Sequence, residues 1–366
     1  MPLINRGATS ISLLLRPSTT TFTRRTQFAS SISPSRTAPF SPSPSRPPHS
    51  RPSSSPSRSP PPSSSTMAAS QSQKFESQVK RNPHPDFKTV ESSRPAFPSA
   101  HTFHHVQTPS PTWTLGSGAT TPPSTVPHIS IDPLAEGRPS TFNYKLLISS
   151  IVPRPIAFVS TRSADGTTTN LAPFSYFQMV AHDPPIFVIG FSSPLTPAEK
   201  SKDTLRNLSE TGECVVNIIS EHFVEAANAT SVNAPYGVSE WGVSGLTPVY
   251  DCQTVKCARV GEAVFSVECK LDSVREFESR ARKGGKSGTM VTLEGTRFWV
   301  REDAVNEEGS VVDAAVLKPV SRLGGITYGR TTEAFELPRP DFEKDVGGRA
   351  AVEEIRRRKE ENEVRN

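Results

Sequence analysis

Short apolar segments separated by turn residues follow one another from residue 156 onward, and this pattern most restricts how the chain can fold. Residues 156–161 form the first predicted strand, and the turn sequence ADGT follows it at 164–167. A second predicted strand covers 170–177, Pro184 and Pro185 interrupt the chain, and 186–191 forms a third. Apolar runs this short, bounded by Gly, Asp and Pro, indicate strands rather than helices.

Only two short helices interrupt this β pattern. Residues 203–211 read as a helix that ends at Gly212, and 221–229 read as a second one. The remaining segments are predicted strands at 214–219, 263–272 and 288–300, the last two separated by a basic, glycine-bearing loop at 280–286. This order favours a mainly β protein, a closed antiparallel barrel with a few short helices, over a parallel α/β sheet.

The first 66 residues differ sharply in composition from the rest of the chain. They contain eight arginines, no lysine and no acidic residue, whereas the whole chain has 41 basic and 36 acidic residues. Subtraction leaves 33 basic and 36 acidic residues in 67–366, so the net charge of +5 becomes −3. The basic pI therefore belongs to the N-terminal segment, and the composition argues against a nucleic-acid partner.

We predict that residues 1–66 are a disordered, low-complexity segment. Residues 1–30 are rich in Arg and Ser and free of acids, which is typical of a mitochondrial transit peptide. Translation from Met67 is the alternative, and it would leave a cytoplasmic protein. Residues 67–128 are predicted to be an extended Pro-rich arm, 129–335 the β domain and 336–366 a charged helical tail.

Several classes of protein are disfavoured by what the sequence lacks. No apolar run approaches the roughly 20 residues of a membrane span. Four cysteines without a Cys-x-x-Cys pair predict neither a disulfide scaffold nor a metal site. The sequence has no Gly-x-Ser-x-Gly or His-Glu-x-x-His motif, and GGKS at 284–287 lacks the first glycine of a phosphate-binding loop. Without Gly-x-Gly-x-x-Gly, a nicotinamide coenzyme would have to bind transiently, outside a Rossmann domain.

One ordered series of motifs carries a functional signal. It runs PRPIAFVST at 153–161, NLAPFSYF at 170–177, PP at 184–185, SKDT at 201–204, GECVVN at 212–217, GVSEW at 237–241, GLTP at 245–248, ECKL at 268–271 and RLGG at 322–325. This series resembles the flavin reductase-like family, whose fold is an FMN-binding split barrel and which includes flavoredoxins and the reductase component of nitrilotriacetate monooxygenase. The resemblance covers residues 144–328, about half of the chain.

The resemblance implies FMN as cofactor, and the residue types suit that ligand. A dianionic phosphate needs cations, hydroxyls and free amides, and the start of a helix supplies such amides. Asp203 is the predicted N-cap of that helix. The flavin ring needs an apolar slot with backbone groups at its edge, and we expect Pro173 to interrupt a ladder and leave such groups free. The implied cofactor-binding residues are Arg154, Ser160, Thr161, Asn170, Leu171, Ala172, Pro173, Ser175, Lys202, Asp203 and Thr204.

The implied reaction is hydride transfer from NADH or NADPH to the flavin, and the sequence indicates no protein acid or base for it. The resemblance also implies a homodimer. Two alternatives stay open: a flavoredoxin-like electron-transfer flavoprotein that exchanges electrons with an acceptor protein, and a barrel that has lost its cofactor and acts as a binding module.

Overall fold

The computed structural model of the protein describes residue 84, residues 86–100 and residues 102–365. The predicted low-complexity segment with its transit peptide, and the first part of the predicted arm, lie outside the described residues. The helices are α1 Phe87–Ser92, α2 Ser140–Ser150, α3 Asp203–Thr211, α4 Val224–Ala229, α5 Trp241–Ser244, α6 Ala314–Leu317 and α7 Gly348–Arg365. The strands are β1 His104–His105, β2 Ala157–Arg162, β3 Thr169–Phe174, β4 Phe177–His182, β5 Pro185–Phe191, β6 Glu213–Ile218, β7 Pro248–Val249, β8 Arg259–Val260, β9 Phe265–Glu278, β10 Lys286–Val300, β11 Val320–Arg322, β12 Tyr328–Arg330 and β13 Glu333–Ala334.

Seven of the strands form one antiparallel sheet in the order β3-β2-β6-β9-β10-β5-β4. The strands at the two ends of this order, β3 and β4, are separated in sequence only by Ser175 and Tyr176. The sheet therefore curls and brings its two ends towards each other, and the rings of Phe174 on β3 and Phe191 on β5 lie 4.7 Å apart between centroids. A mainly β, antiparallel fold with few helices is confirmed. Within the described residues no ladder joins β3 to β4.

Both faces of the sheet are buried around β2. Phe158 packs in one cluster with Leu171, while Ala157 and Val159 pack in a second cluster with Leu205 and other residues. Successive side chains of a strand point to opposite faces, so β2 contributes alternately to the two clusters. This double burial explains why the first half of β2, residues 157–159, is apolar at every position.

Helix α3 covers the second cluster. Leu205 and Leu208 lie on its inner side and are completely buried there. Burial of two leucine side chains contributes roughly 2 kcal/mol each. Gly212 ends the helix in the left-handed region, with φ of 69°, and its N–H donates to the Leu208 carbonyl at 2.8 Å. The predicted helix 203–211 is confirmed with its glycine stop.

Three predicted strands differ from those observed. The predicted strand 170–177 is divided into β3 and β4, because the chain passes from one end of the sheet order to the other at Ser175 and Tyr176. The predicted strands 263–272 and 288–300 form a longer hairpin, since β9 continues to Glu278 and β10 begins at Lys286. Their pairing extends well past their neighbours in the sheet.

The described part of the arm lies against the C-terminal segment of the chain. Strand β1 pairs in parallel with β13, and the Val106 N–H donates to the Ala334 carbonyl at 2.8 Å. Helix α7 occupies the second half of the predicted tail 336–366, and an added Cβ at Gly116 would lie 2.6 Å from Ile355 Cγ2. Arm and tail therefore pack together. Among the described residues, no helix is both long enough and apolar enough to cross a bilayer.

Candidate functional site

A row of buried polar side chains joins the start of α3 to strands β2 and β3. Asn170 Nδ2 donates to Thr204 Oγ1 at 2.7 Å, and Asn207 Nδ2 donates to Thr161 Oγ1 at 3.2 Å. Thr161 and Asn170 face each other in the β2–β3 register, and Thr204 and Asn207 lie one helical turn apart. We call these four residues the polar seam. Because each is buried and bonded to another, the seam fixes the helix against the sheet.

The first turn of α3 is open at its N-terminal end. Lys202 is the N-cap, in an extended conformation, and its side chain makes no capping hydrogen bond. The Lys202 N–H donates to Ser193 Oγ at 3.2 Å, which fixes the direction in which the chain enters the helix. The first N–H groups of an α-helix have no partner within it and carry a partial positive charge. This end of α3 can therefore accept an anion.

The predicted N-cap role of Asp203 is wrong. Lys202 has ψ of 141° and Asp203 is already the first helical residue, so its carboxylate cannot take the N-cap position. The Asp203 side chain is half-buried, and burial raises its pKa although Lys202 and Arg206 act in the opposite direction. An anion at this helix terminus would have to lie on the Lys202 side, away from this carboxylate.

Strand β3 forms an edge of the sheet and keeps its pairing through Pro173. The register with β2 runs without a shift from Thr169 to Phe174, so the expected interruption at Pro173 is wrong. Proline is tolerated on an edge strand because its nitrogen faces away from the neighbouring strand. The Leu171 N–H points to the same outer side and donates to Glu240 Oε2 at 3.1 Å. The outer edge of β3 thus presents backbone carbonyls beside a carboxylate.

Glu240 is a buried acid that the sequence reasoning missed. Its side chain is 5% exposed and lies against β3 although the residue precedes α5, far along the chain. Burial raises the pKa of Glu240, with a further contribution from the charge of Asp203, and both outweigh the hydrogen bond from Leu171. Glu240 lies in the GVSEW motif at 237–241, but that motif does not indicate which segment the Glu240 side chain contacts. Ser193 is a second missed residue, and Asn207 could have been found from its one-turn spacing to Thr204.

The structure brings most, but not all, of the predicted residues together. Thr161, Asn170, Lys202, Asp203 and Thr204 surround the start of α3. The predicted ring-edge residues Leu171, Ala172 and Pro173 follow along β3, and half-buried Ser175 comes directly after the strand.

Arg154 and Ser160 are not brought to this group. The Arg154 guanidinium is buried and donates to the carbonyls of Ile148, Ile151 and Leu323, so its charge ties α2 to the C-terminal part of the domain. Ser160 points to the opposite face of β2 from Thr161, and its hydroxyl donates to the Ala258 carbonyl. Side-chain alternation along β2 places Ser160 and Thr161 on different faces.

Comparison with known proteins places this fold in a family. Residues 149–317 match the model of the flavin reductase like domain. A protein of Halalkalibacterium halodurans is 37% identical over 203 residues, which are 56% of this chain and 93% of that protein. The YwrF protein of Bacillus subtilis is 34% identical over 197 residues, covering 54% of this chain and 93% of that protein. The chain therefore belongs to the flavin reductase-like family.

A solved structure extends the comparison. The crystal structure of nitrilotriacetate monooxygenase component B from Bacillus cereus is 35% identical, with a TM-score of 0.53, and the match covers 58% of this chain and 100% of that one. The family match begins within α2 and ends at α6, so it includes β2, β3 and α3 with all the residues of the polar seam. The described arm and helix α7 lie outside it.

Proposed function

We propose that this protein binds FMN between the start of α3 and the outer edge of β3, and reduces it with NADH or NADPH. The observation that carries the proposal is the open first turn of α3 beside Lys202, held against β3 by the polar seam, in a member of the flavin reductase-like family. The flavin, when bound, supplies the chemistry of hydride acceptance.

The residues at the start of α3 fit a phosphate group. Lys202 is exposed and brings a positive charge, and the first-turn N–H groups supply donors aimed out of the helix. Thr204 Oγ1 accepts from Asn170, which leaves its own proton available to a phosphate oxygen. Hydrogen bonds in which one partner is charged are worth about 1.5–3 kcal/mol each. The site can therefore hold a dianion in spite of Asp203.

The outer edge of β3 fits the polar edge of a planar ring. Its carbonyl groups accept hydrogen bonds, and Pro173 contributes no N–H that would need a partner. Glu240 holds the Leu171 N–H and so keeps this edge straight. In this proposal β3 orients the ring, and the curled sheet limits the access of water to it. Full closure of the sheet into a split barrel belongs to the same proposal.

A second copy of the chain completes the proposal. Met179 and Val180 on edge strand β4 are 58% and 57% exposed. Exposed apolar side chains on an edge strand favour pairing with another chain. A homodimer would cover this strand next to the end of β3.

Lys202→Ala tests the placement of the phosphate. Lys202 is exposed, so its removal should leave the fold intact, and the affinity for FMN should fall at least tenfold, since a tenfold change corresponds to about 1.4 kcal/mol. The affinity for riboflavin, which lacks the phosphate, should not change. The double change Lys202→Ala with Thr204→Ala should weaken FMN binding further. Lys200→Ala, at an exposed lysine two residues earlier, is the matched control.

These titrations also separate the competing functions. If Lys202→Ala lowers the affinities of the protein for FMN and for riboflavin equally, the phosphate does not bind at α3. A wild-type protein that binds neither flavin would be a binding module instead of a flavoprotein. A protein that binds FMN but is reduced by neither NADH nor NADPH under anaerobic conditions would be an electron-transfer flavoprotein.

A further inference from the structure

The β9–β10 hairpin projects beyond the rest of the sheet. Strand β9 pairs with β6 only over Ser266–Lys270, and β10 pairs with β5 only over Thr289–Glu294. Past Thr289 and its partner Glu276, the two strands pair with each other alone. The end of the hairpin therefore stands clear of the sheet.

The tip of this hairpin carries three exposed positive charges. Arg280, Arg282 and Lys283 are exposed, and within the described part of the chain none of them pairs with a carboxylate. The Arg282 guanidinium donates to the Lys286 carbonyl, at 3.3 Å, whereas the Lys286 ammonium is paired with Glu278. We call Arg280, Arg282 and Lys283 the basic tip. It stands out in residues 67–366, where acidic residues exceed basic ones by three.

The base of the hairpin is bonded to the segment that enters α3. Glu276 Oε1 accepts from the Leu195 N–H at 2.9 Å, and Thr289 Oγ1 donates to the Ser193 carbonyl at 2.9 Å. Ser193 Oγ in turn accepts from the Lys202 N–H, as described above. Strand β9 continues to Glu278, two residues past Glu276, so at about 3.3 Å per extended residue the hairpin reaches roughly 7 Å beyond this base before the loop that carries Arg280. The hairpin that carries the basic tip is therefore attached to the candidate site at the start of α3.

We propose that the basic tip binds the phosphate groups in the ADP half of a dinucleotide whose other half occupies the site at α3 and β3. Guanidinium groups form paired hydrogen bonds with phosphate oxygens, and free cations on a projecting loop attract an anion before it docks. Two molecules share this chemistry: a nicotinamide coenzyme serving as reductant, and FAD in the place of FMN. The inference rests on the proposed function.

The triple variant Arg280→Ala, Arg282→Ala, Lys283→Ala tests this proposal. The changed side chains are exposed and outside the core, so folding, measured as the melting temperature, should be retained. FMN affinity should stay within twofold of wild type. Binding of 2′,5′-ADP, measured by calorimetry, should weaken at least tenfold, and this readout does not depend on flavin reduction.

Two further measurements identify the source of the ADP half. If it comes from the reductant, the KM for NADPH rises at least tenfold in the triple variant, and more than the KM for NADH. If it comes from FAD, the affinity for FAD falls at least tenfold, while the KM values for the coenzymes are unchanged.

A charge-matched control excludes a general effect of net charge. Lys256→Ala, Arg297→Ala and Lys344→Ala together remove three exposed cations elsewhere on the chain and should leave every value near wild type. The proposal is overturned if the control variant loses as much affinity as the test variant. It is also overturned if the 2′,5′-ADP affinity, the KM for NADPH and the FAD affinity are all unchanged in the test variant. If the wild-type protein binds FMN normally in that case, the proposed function survives and only the role of the basic tip falls.

Discussion

Glu268 is a completely buried carboxylate whose ionised form we expect to stabilise the fold strongly. Its Oε1 accepts from Gln253 N–H at 2.9 Å and from Trp299 Nε1 at 2.7 Å. Its Oε2 accepts from the N–H and the hydroxyl of Thr254, both at 2.5 Å, and from Val255 N–H at 3.2 Å. This one side chain thus attaches the 253–255 loop to β9 and β10.

These hydrogen bonds decide the ionisation state of Glu268. Burial alone would raise its pKa, but the donors from Thr254, Gln253 and Trp299 outweigh burial and lower the pKa from 4.5 to about 2. Lowering the pKa of Glu268 from 4.5 to about 2 corresponds to about 3 kcal/mol of stabilisation, because a tenfold change in the ionisation constant is worth about 1.36 kcal/mol. Since the pKa is lower in the folded state, this stabilisation is complete above pH 4.5. It is lost as the pH falls towards 2, and about 1 kcal/mol of it is left at pH 3.

Glu268→Gln should therefore destabilise the protein by about 3 kcal/mol or more at pH 7, since an amide cannot accept at both positions. The difference in unfolding free energy between wild type and variant should shrink by about 2 kcal/mol between pH 7 and pH 3. Urea unfolding at both pH values measures it. Glu307→Gln, at an exposed glutamate, is the control and should show no such change. A Glu268→Gln difference that is the same at both pH values would refute a depressed pKa.

Two other side chains make sharp predictions. Asn217 is completely buried and forms hydrogen bonds with Phe158 O, Val260 N–H and Ser266 Oγ. Asn217→Ala should therefore lower the free energy of unfolding in urea by roughly 3–5 kcal/mol. A loss below about 1 kcal/mol would contradict a stabilising role of this network. Arg330 pairs with Glu221 at 2.8 Å and lies 4.2 Å from the ring centroid of Phe97, so Arg330→Ala should loosen the arm around Phe97 while the β1–β13 pairing remains. Limited proteolysis near Phe97 should then become several times faster, and an unchanged rate would show that the β1–β13 pairing is enough to hold this part of the arm.

Local signals in the sequence were sufficient for much of the secondary structure. Helix α3 follows from its apolar residues at helical spacing and from Gly212, because glycine readily adopts the left-handed conformation that ends the helix. The first strand follows from an unbroken apolar run, and the turn after it from ADGT. In these segments the deciding interactions lie within a few residues of each other.

The site was predictable only in part, because several of its contacts join residues far apart in sequence. The order of motifs pointed to the residues that meet around the start of α3. It could not indicate that Ser193 orients Lys202, nor that Glu240 takes the Leu171 N–H from 69 residues away.

The sequence by itself therefore determined which segments are strands and in what order they follow, and how far α3 extends. It also determined which motifs the chain shares with the flavin reductase-like family. The tertiary structure alone decided that β3 is an edge strand, which is why Pro173 fits in it without a break. It also decided that Ser160 bonds to the Ala258 carbonyl, on the face of β2 opposite to Thr161 and Asn207. The hydrogen bonds that lower the pKa of Glu268 likewise come from the tertiary structure. The physical reason is the same in each case: hydrogen-bond partners and burial depend on which distant segments the curled sheet brings together.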